Sequence, residues 1–147
     1  MSAFRVERTV PLDVDEAWRR ITRWPSHTAR VPLTSMSVRT PGPTREGTVI
    51  VARTGAGPAG FDDPMEIVAW EPPAGGRPGR CRLEKRGRVV RGWAEIGVRA
   101  APGGARVAWL EEVRVAGLPR LFDGVTADAG RLMFGREMDH LLGLPSA

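Results

Sequence analysis

The sequence predicts an α+β fold: an antiparallel meander of six to seven strands, one or two short helices after the first strand, and a long helix at the end. Three observations carry this. Between Ser35 and Val115 apolar and polar residues alternate in runs separated by Gly/Pro turns, the pattern of consecutive antiparallel strands rather than βαβ units. Ahead of that run the period is helical over Val14, Ala17, Trp18, Ile21 and Trp24. After it, residues from Pro119 to Leu142 form one uninterrupted stretch suited to a long helix.

The elements follow in order. Ala3 to Val10 reads as a strand, with Phe4, Val6 and Arg8 on one face. Asp13, followed three residues on by Glu16, is a capping-box pattern in which the carboxylate accepts from orphan backbone N–H groups. The helix it opens presents its apolar face through Trp24 and its arginines, Arg19, Arg20 and Arg23, to solvent, and Pro25 stops it. A short helical turn is expected over Ser26–Arg30. Strands are expected at Ser35–Thr40, Gly47–Thr54, Phe61–Glu71, Arg80–Arg86, Val89–Arg99 and Arg106–Val115. The last helix carries two apolar stripes. Leu118, Phe122, Val125, Ala129, Leu132 and Met133 lie on one side; Phe134, Met138 and Leu141 project from nearly the opposite one. Both must be covered, or the helix must bend between them, and Gly130 and Gly135 mark where a bend is cheap.

With 147 residues, the chain fits a single domain spanning 1–147, which buries roughly 70% of its unfolded surface. At 41% hydrophobic residues and a net charge of +5 it is not a disordered chain. One cysteine, Cys81, excludes an internal disulfide, and no Cys/His spacing offers a metal site. No apolar run approaches the length of a membrane span, and Met1–Arg8 carries charges where a signal peptide needs apolar residues, so a cytoplasmic location is expected. Of the 22 cationic residues only Lys85 is a lysine; the rest are arginines. They concentrate between Arg77 and Arg91, where the chain alternates charge along a strand. That pattern marks a solvated sheet face, and with no tyrosine in the chain there are few rings to stack bases, so no nucleic-acid partner is expected. No nucleophile elbow, P-loop or GxGxxG pattern occurs, and no cofactor is expected.

Strand, capped helix, short helix, meander and long C-terminal helix, in that order, read as a helix-grip fold. Several motifs at family spacing accompany it: Val14-Asp15-Glu16-Ala17-Trp18 with Ile21-Thr22-Arg23-Trp24, Phe61-Asp62-Asp63 before Met65-Glu66-Ile67, and Trp70-Glu71-Pro72-Pro73. Gly92-Trp93-Ala94, Gly104 to Trp109, and Phe134, Met138, Leu141 and Leu142 complete the set. In this the chain resembles the START-like (SRPBCC) superfamily, in its small bacterial polyketide cyclase/dehydrase branch, over nearly its whole length. The resemblance implies a sheet wrapped around the last helix and a cavity between them for a hydrophobic small molecule, lipids included. It does not imply a reaction, because such folds host binders, carriers and enzymes alike.

Within that frame Trp24, Met65, Ile67, Trp109, Phe122, Val125, Ala129 and Met133 are the expected apolar wall. His27, after the first helix, either acts as a general base for an aldol-type cyclisation or hydrogen-bonds a neighbouring loop. Glu111 shares parity with Val107, Trp109, Val113 and Val115, an otherwise apolar face. A carboxylate there must be paired, with Arg91 or Arg136 as candidate partners, be protonated, or face a wet cavity. His27 and Glu111 are therefore both ligand-orienting and candidate catalytic residues. Asp62 and Asp63, being adjacent in a strand, point to opposite faces and cannot chelate one metal. The second helix stripe could also serve a homodimer, although burial within a monomer accounts for it more simply.

Overall fold

The computed structural model describes residues 2–27, 33–117 and 123–145. Strand β1 (Ser2–Val10) leads through Asp13, whose side chain accepts from the Glu16 N–H, into α1 (Val14–Ile21). A single 3₁₀ turn (Trp24–Ser26) follows. The meander then runs through β2 (Thr34–Val38), β3 (Val49–Thr54), β4 (Phe61–Glu71), β5 (Gly79–Arg86), β6 (Val90–Ala101) and β7 (Gly104–Val115), and α2 (Asp123–Leu142) closes the chain. One seven-stranded sheet has the order β1-β7-β6-β5-β4-β3-β2, antiparallel throughout. This is the helix-grip arrangement, with β1 and β2 at its two edges.

α1 stops sooner than its apolar spacing predicts. The Thr22 hydroxyl donates to the Trp18 carbonyl and its N–H also closes onto Trp18, so the helix ends at Ile21. Trp24 then enters the 3₁₀ turn that Pro25 favours. The expected turn over Ser26–Arg30 lies largely outside the described residues.

Two irregularities in β4 decide what faces inward. Pro64 pairs with Val51 of β3, while the β4–β5 ladder begins only at Met65, so the missing proline N–H leaves no bond of that ladder unmade. Further on, the register shifts between Ile67 and Ala69. The extra residue reverses the alternation, so Trp70 joins Ile67 on the inner face and packs on Trp18 with ring centroids 5.0 Å apart.

α2 lies with the stripe containing Phe134, Met138 and Leu141 toward the sheet; Met138 is 1% exposed. On the other stripe, where described, Leu132 is 59% exposed and faces solvent, while Met133, 39% exposed, also borders the cavity between helix and sheet. This corrects the expectation that the Ala129 side faces the interior. The reason is Gly130: a Cβ there would meet the Phe4 ring at 2.7 Å, so the bare backbone sets the closest approach of α2 to β1. Gly130 and Gly135 thus let the helix come close to β1, where a Cβ would meet Phe4 and Arg8. Arg8 of β1 donates to Asp139 at 2.7 Å, and Arg20 of α1 reaches the Leu142 carbonyl at 3.3 Å, tying α2 to both neighbours.

Candidate functional site

Between the concave face of the sheet and α2 lies a cavity of about 280 Å³. Alternation places its wall. Thr34 and Met36 come from β2, Ile50, Ala52 and Thr54 from β3, Asp63 and Met65 from β4, Leu83 and Lys85 from β5, Ala94 from β6, and Trp109 and Glu111 from β7. Trp24 and His27 close it beside the 3₁₀ turn, and Met133 and Phe134 close it from α2.

Rings form a continuous series along this wall. Trp24 lies 5.0 Å from His27, His27 5.1 Å from Trp109, and Trp109 stacks on Phe134 at 5.3 Å, which in turn stacks on Phe4. Such contacts fix ring orientation as well as bury area. His27 is 2% exposed, and its Nε2 lies 2.5 Å from the Ile21 carbonyl. A carbonyl only accepts, so Nε2 carries the proton and Nδ1 keeps its lone pair. Burial lowers the His27 pKa to about 4, against the opposing pull of that hydrogen bond.

The polar part of the wall is an ion cluster. Lys85 Nζ lies 3.0 Å from Asp63 Oδ2 and 3.2 Å from Glu111 Oε1, and contacts Met65 Sδ at 3.5 Å. Trp109 Nε1 donates to the other Glu111 oxygen at 3.0 Å. Burial opposes the charged ammonium, but Glu111 and Asp63 outweigh it and hold the Lys85 pKa above the usual lysine value. Asp63 Oδ1 is buried and has no hydrogen-bond partner.

The matching family model, described as polyketide cyclase / dehydrase and lipid transport, covers residues 1–143. The chain belongs to that family. Its fold recurs in solved structures of low sequence identity. The protein CV1439 from Chromobacterium violaceum is 14% identical with a TM-score of 0.67, covering 99% of this chain and 100% of that one. TTHA0849 from Thermus thermophilus is 16% identical at 0.64, covering 96% and 92%. Ara h 8.0201 is 14% identical at 0.63, covering 96% and 97%. No curated protein matches the chain. Family membership makes this a hydrophobic ligand-binding type of domain. Among the described residues no helix is long and apolar enough to cross a membrane, and no three His, Cys, Asp or Glu side chains group to hold a metal.

Trp24, His27, Met65, Trp109, Glu111 and Met133, all singled out from the sequence, line the cavity. Ile67 is fully buried in the core but forms no part of the lining. Ala129 is exposed, because the glycine-bearing side of α2 faces β1. Phe122 and the Val125 side chain lie outside the described residues. Glu111 is paired, but with Lys85 rather than Arg91 or Arg136. Lys85 and Asp63 are the charged wall residues that sequence reasoning missed, and Met36 and Phe134 are further lining residues outside the expected set. The charge run groups Lys85 with a solvated basic stretch, yet it shares parity with Cys81 and Leu83, and Asp63 shares it with Met65 and Ile67. Parity is the signal that finds them. The rest of that stretch does face outward: Arg80 and Arg82 share Glu95, Arg86 pairs with Glu66, and Arg82 covers the Trp93 ring at 4.4 Å.

Proposed function

We propose that the chain binds an apolar, aromatic small molecule in this cavity. The observation that carries the reading is the series of rings Trp24, His27, Trp109 and Phe134 in a wall that also includes Met36 and Met65. Rings offer flat faces at fixed orientation, and thioethers adapt to an irregular partner. The candidate general bases support binding more than turnover. His27 is neutral at pH 7 but a weak base at a pKa near 4, and both Glu111 oxygens are engaged.

Native mass spectrometry of the purified protein, followed by thermal-shift screening against aromatic polyketides, fatty acids and sterols, tests this. A ligand at a hundredfold excess over its Kd adds about 2.7 kcal/mol to stability. Aromatic compounds raising Tm while fatty acids and sterols do not is the expected result; no shift with any aromatic compound would refute it. The cyclase/dehydrase part of the family description supports a second reading, acid–base catalysis on a bound polyketide. That reading requires turnover that His27→Ala or Glu111→Gln abolishes with binding retained.

A further inference from the structure

Apart from the Thr34 and Thr54 hydroxyls, which face each other at 3.4 Å and can donate or accept, the hydrogen-bonding capacity of the cavity wall is one-sided. Its N–H donors already have partners within the protein. Lys85 faces Asp63, Glu111 and the Met65 sulfur; Trp109 donates to Glu111, Trp24 to Thr44 at 3.1 Å, and His27 Nε2 to Ile21. Lysine has three donors and each ring one, so nothing is left on these groups for a ligand. Acceptors remain. Asp63, its side chain 13% exposed, has Oδ1 without a partner, and His27 Nδ1 carries a lone pair that no described residue engages. The two carboxylates around one ammonium also give the cluster a formal charge of −1.

We propose that this cavity selects a ligand that brings a hydrogen-bond donor, such as a phenolic hydroxyl, to Asp63 or His27, and that it discriminates against ligands ending in a carboxylate, fatty acids among them. A donor from the ligand completes Asp63 Oδ1 after a small rotation of the carboxylate, a torsion with a broad minimum. A ligand carboxylate finds no free N–H there and meets like charge in a low-dielectric site. The inference rests on the binding reading above and specifies the chemistry of its ligand.

Three matched probes separate the two: naphthol, methylnaphthalene and naphthoate, titrated into the unaltered protein by calorimetry with tryptophan fluorescence as a second readout. Naphthol is expected to bind at least about tenfold more tightly than methylnaphthalene, the worth of one hydrogen bond to a charged acceptor, and naphthoate more weakly than either. Equal binding of naphthol and methylnaphthalene, or tighter binding of naphthoate, overturns the donor rule while leaving the apolar cavity standing. Binding of none of the three overturns both. In Asp63→Ala, which leaves the Lys85–Glu111 pair in place, the naphthol advantage is expected to fall to under about threefold; an undiminished advantage removes Asp63 from the proposal.

Discussion

The same strands build ion pairs on both faces of the sheet, and the two sets do different things. On the convex face Arg80, Arg82, Glu71 and Glu95 form a ladder with side chains 29% to 63% exposed. On the concave face Lys85, Asp63 and Glu111 are 7%, 13% and 2% exposed. Outside, water solvates each partner whether or not the pair forms, so the ladder contributes little beyond a solvated surface. Inside, both carboxylates depend on the one ammonium, and removing Lys85 strands Asp63 and Glu111 together. Neighbouring residues of β5, Glu84 and Lys85, sit in these two environments only because a strand alternates.

Removing the cation is the strongest way to sharpen this contrast. Lys85→Ala leaves two carboxylates facing each other in the wall and is expected to cost about 3–5 kcal/mol in urea unfolding. The triple variant Lys85→Met/Asp63→Leu/Glu111→Leu should recover most or all of it, because an apolar replacement strands no charge. A Lys85→Ala loss under about 1 kcal/mol would equate the two faces and break the comparison.

The next effect is a pH dependence centred on His27. Its folded pKa, about 4, lies below the unfolded value near 6.5, so between those values the unfolded chain binds more protons. Stability is therefore full above pH 6.5 and is lost as pH falls toward 4, by about 3 kcal/mol for this group. His27→Gln should flatten that part of the curve; an unchanged slope would place the sensitivity elsewhere. The smallest effect belongs to the convex face. Arg80→Ala should cost under about 1 kcal/mol, shrinking further in high salt. Glu95, whose pKa Arg80 and Arg82 lower in spite of its partial burial, should titrate closer to its ordinary value in that variant, which NMR can follow.

Much of this architecture is local and therefore legible in the sequence. Asp13 and Glu16 announce α1, Gly/Pro turns separate the strands, and parity places Trp109 and Glu111 on the concave face. What the sequence hides has local causes too. Arginine neighbours mask Lys85, since a charge run reads as a solvated face unless each position is assigned a side. Trp70 escapes placement because a bulge between Ile67 and Ala69 reverses parity without a clear sequence mark. The apolar stripes mislead on the facing of α2 because glycine adds nothing to a stripe, yet the contact of Gly130 with Phe4 sets the rotation of the helix.

By itself the sequence determined the order and period of the elements, because caps, turns and alternation act over a few residues. Only the tertiary structure decided that residues 63, 85 and 111 share one ion cluster, that its remaining open capacity is an acceptor, and which side of α2 meets the sheet. Those outcomes depend on register across four strands, β4 to β7, and on how closely a helix approaches β1, and spacing along the chain encodes neither distance.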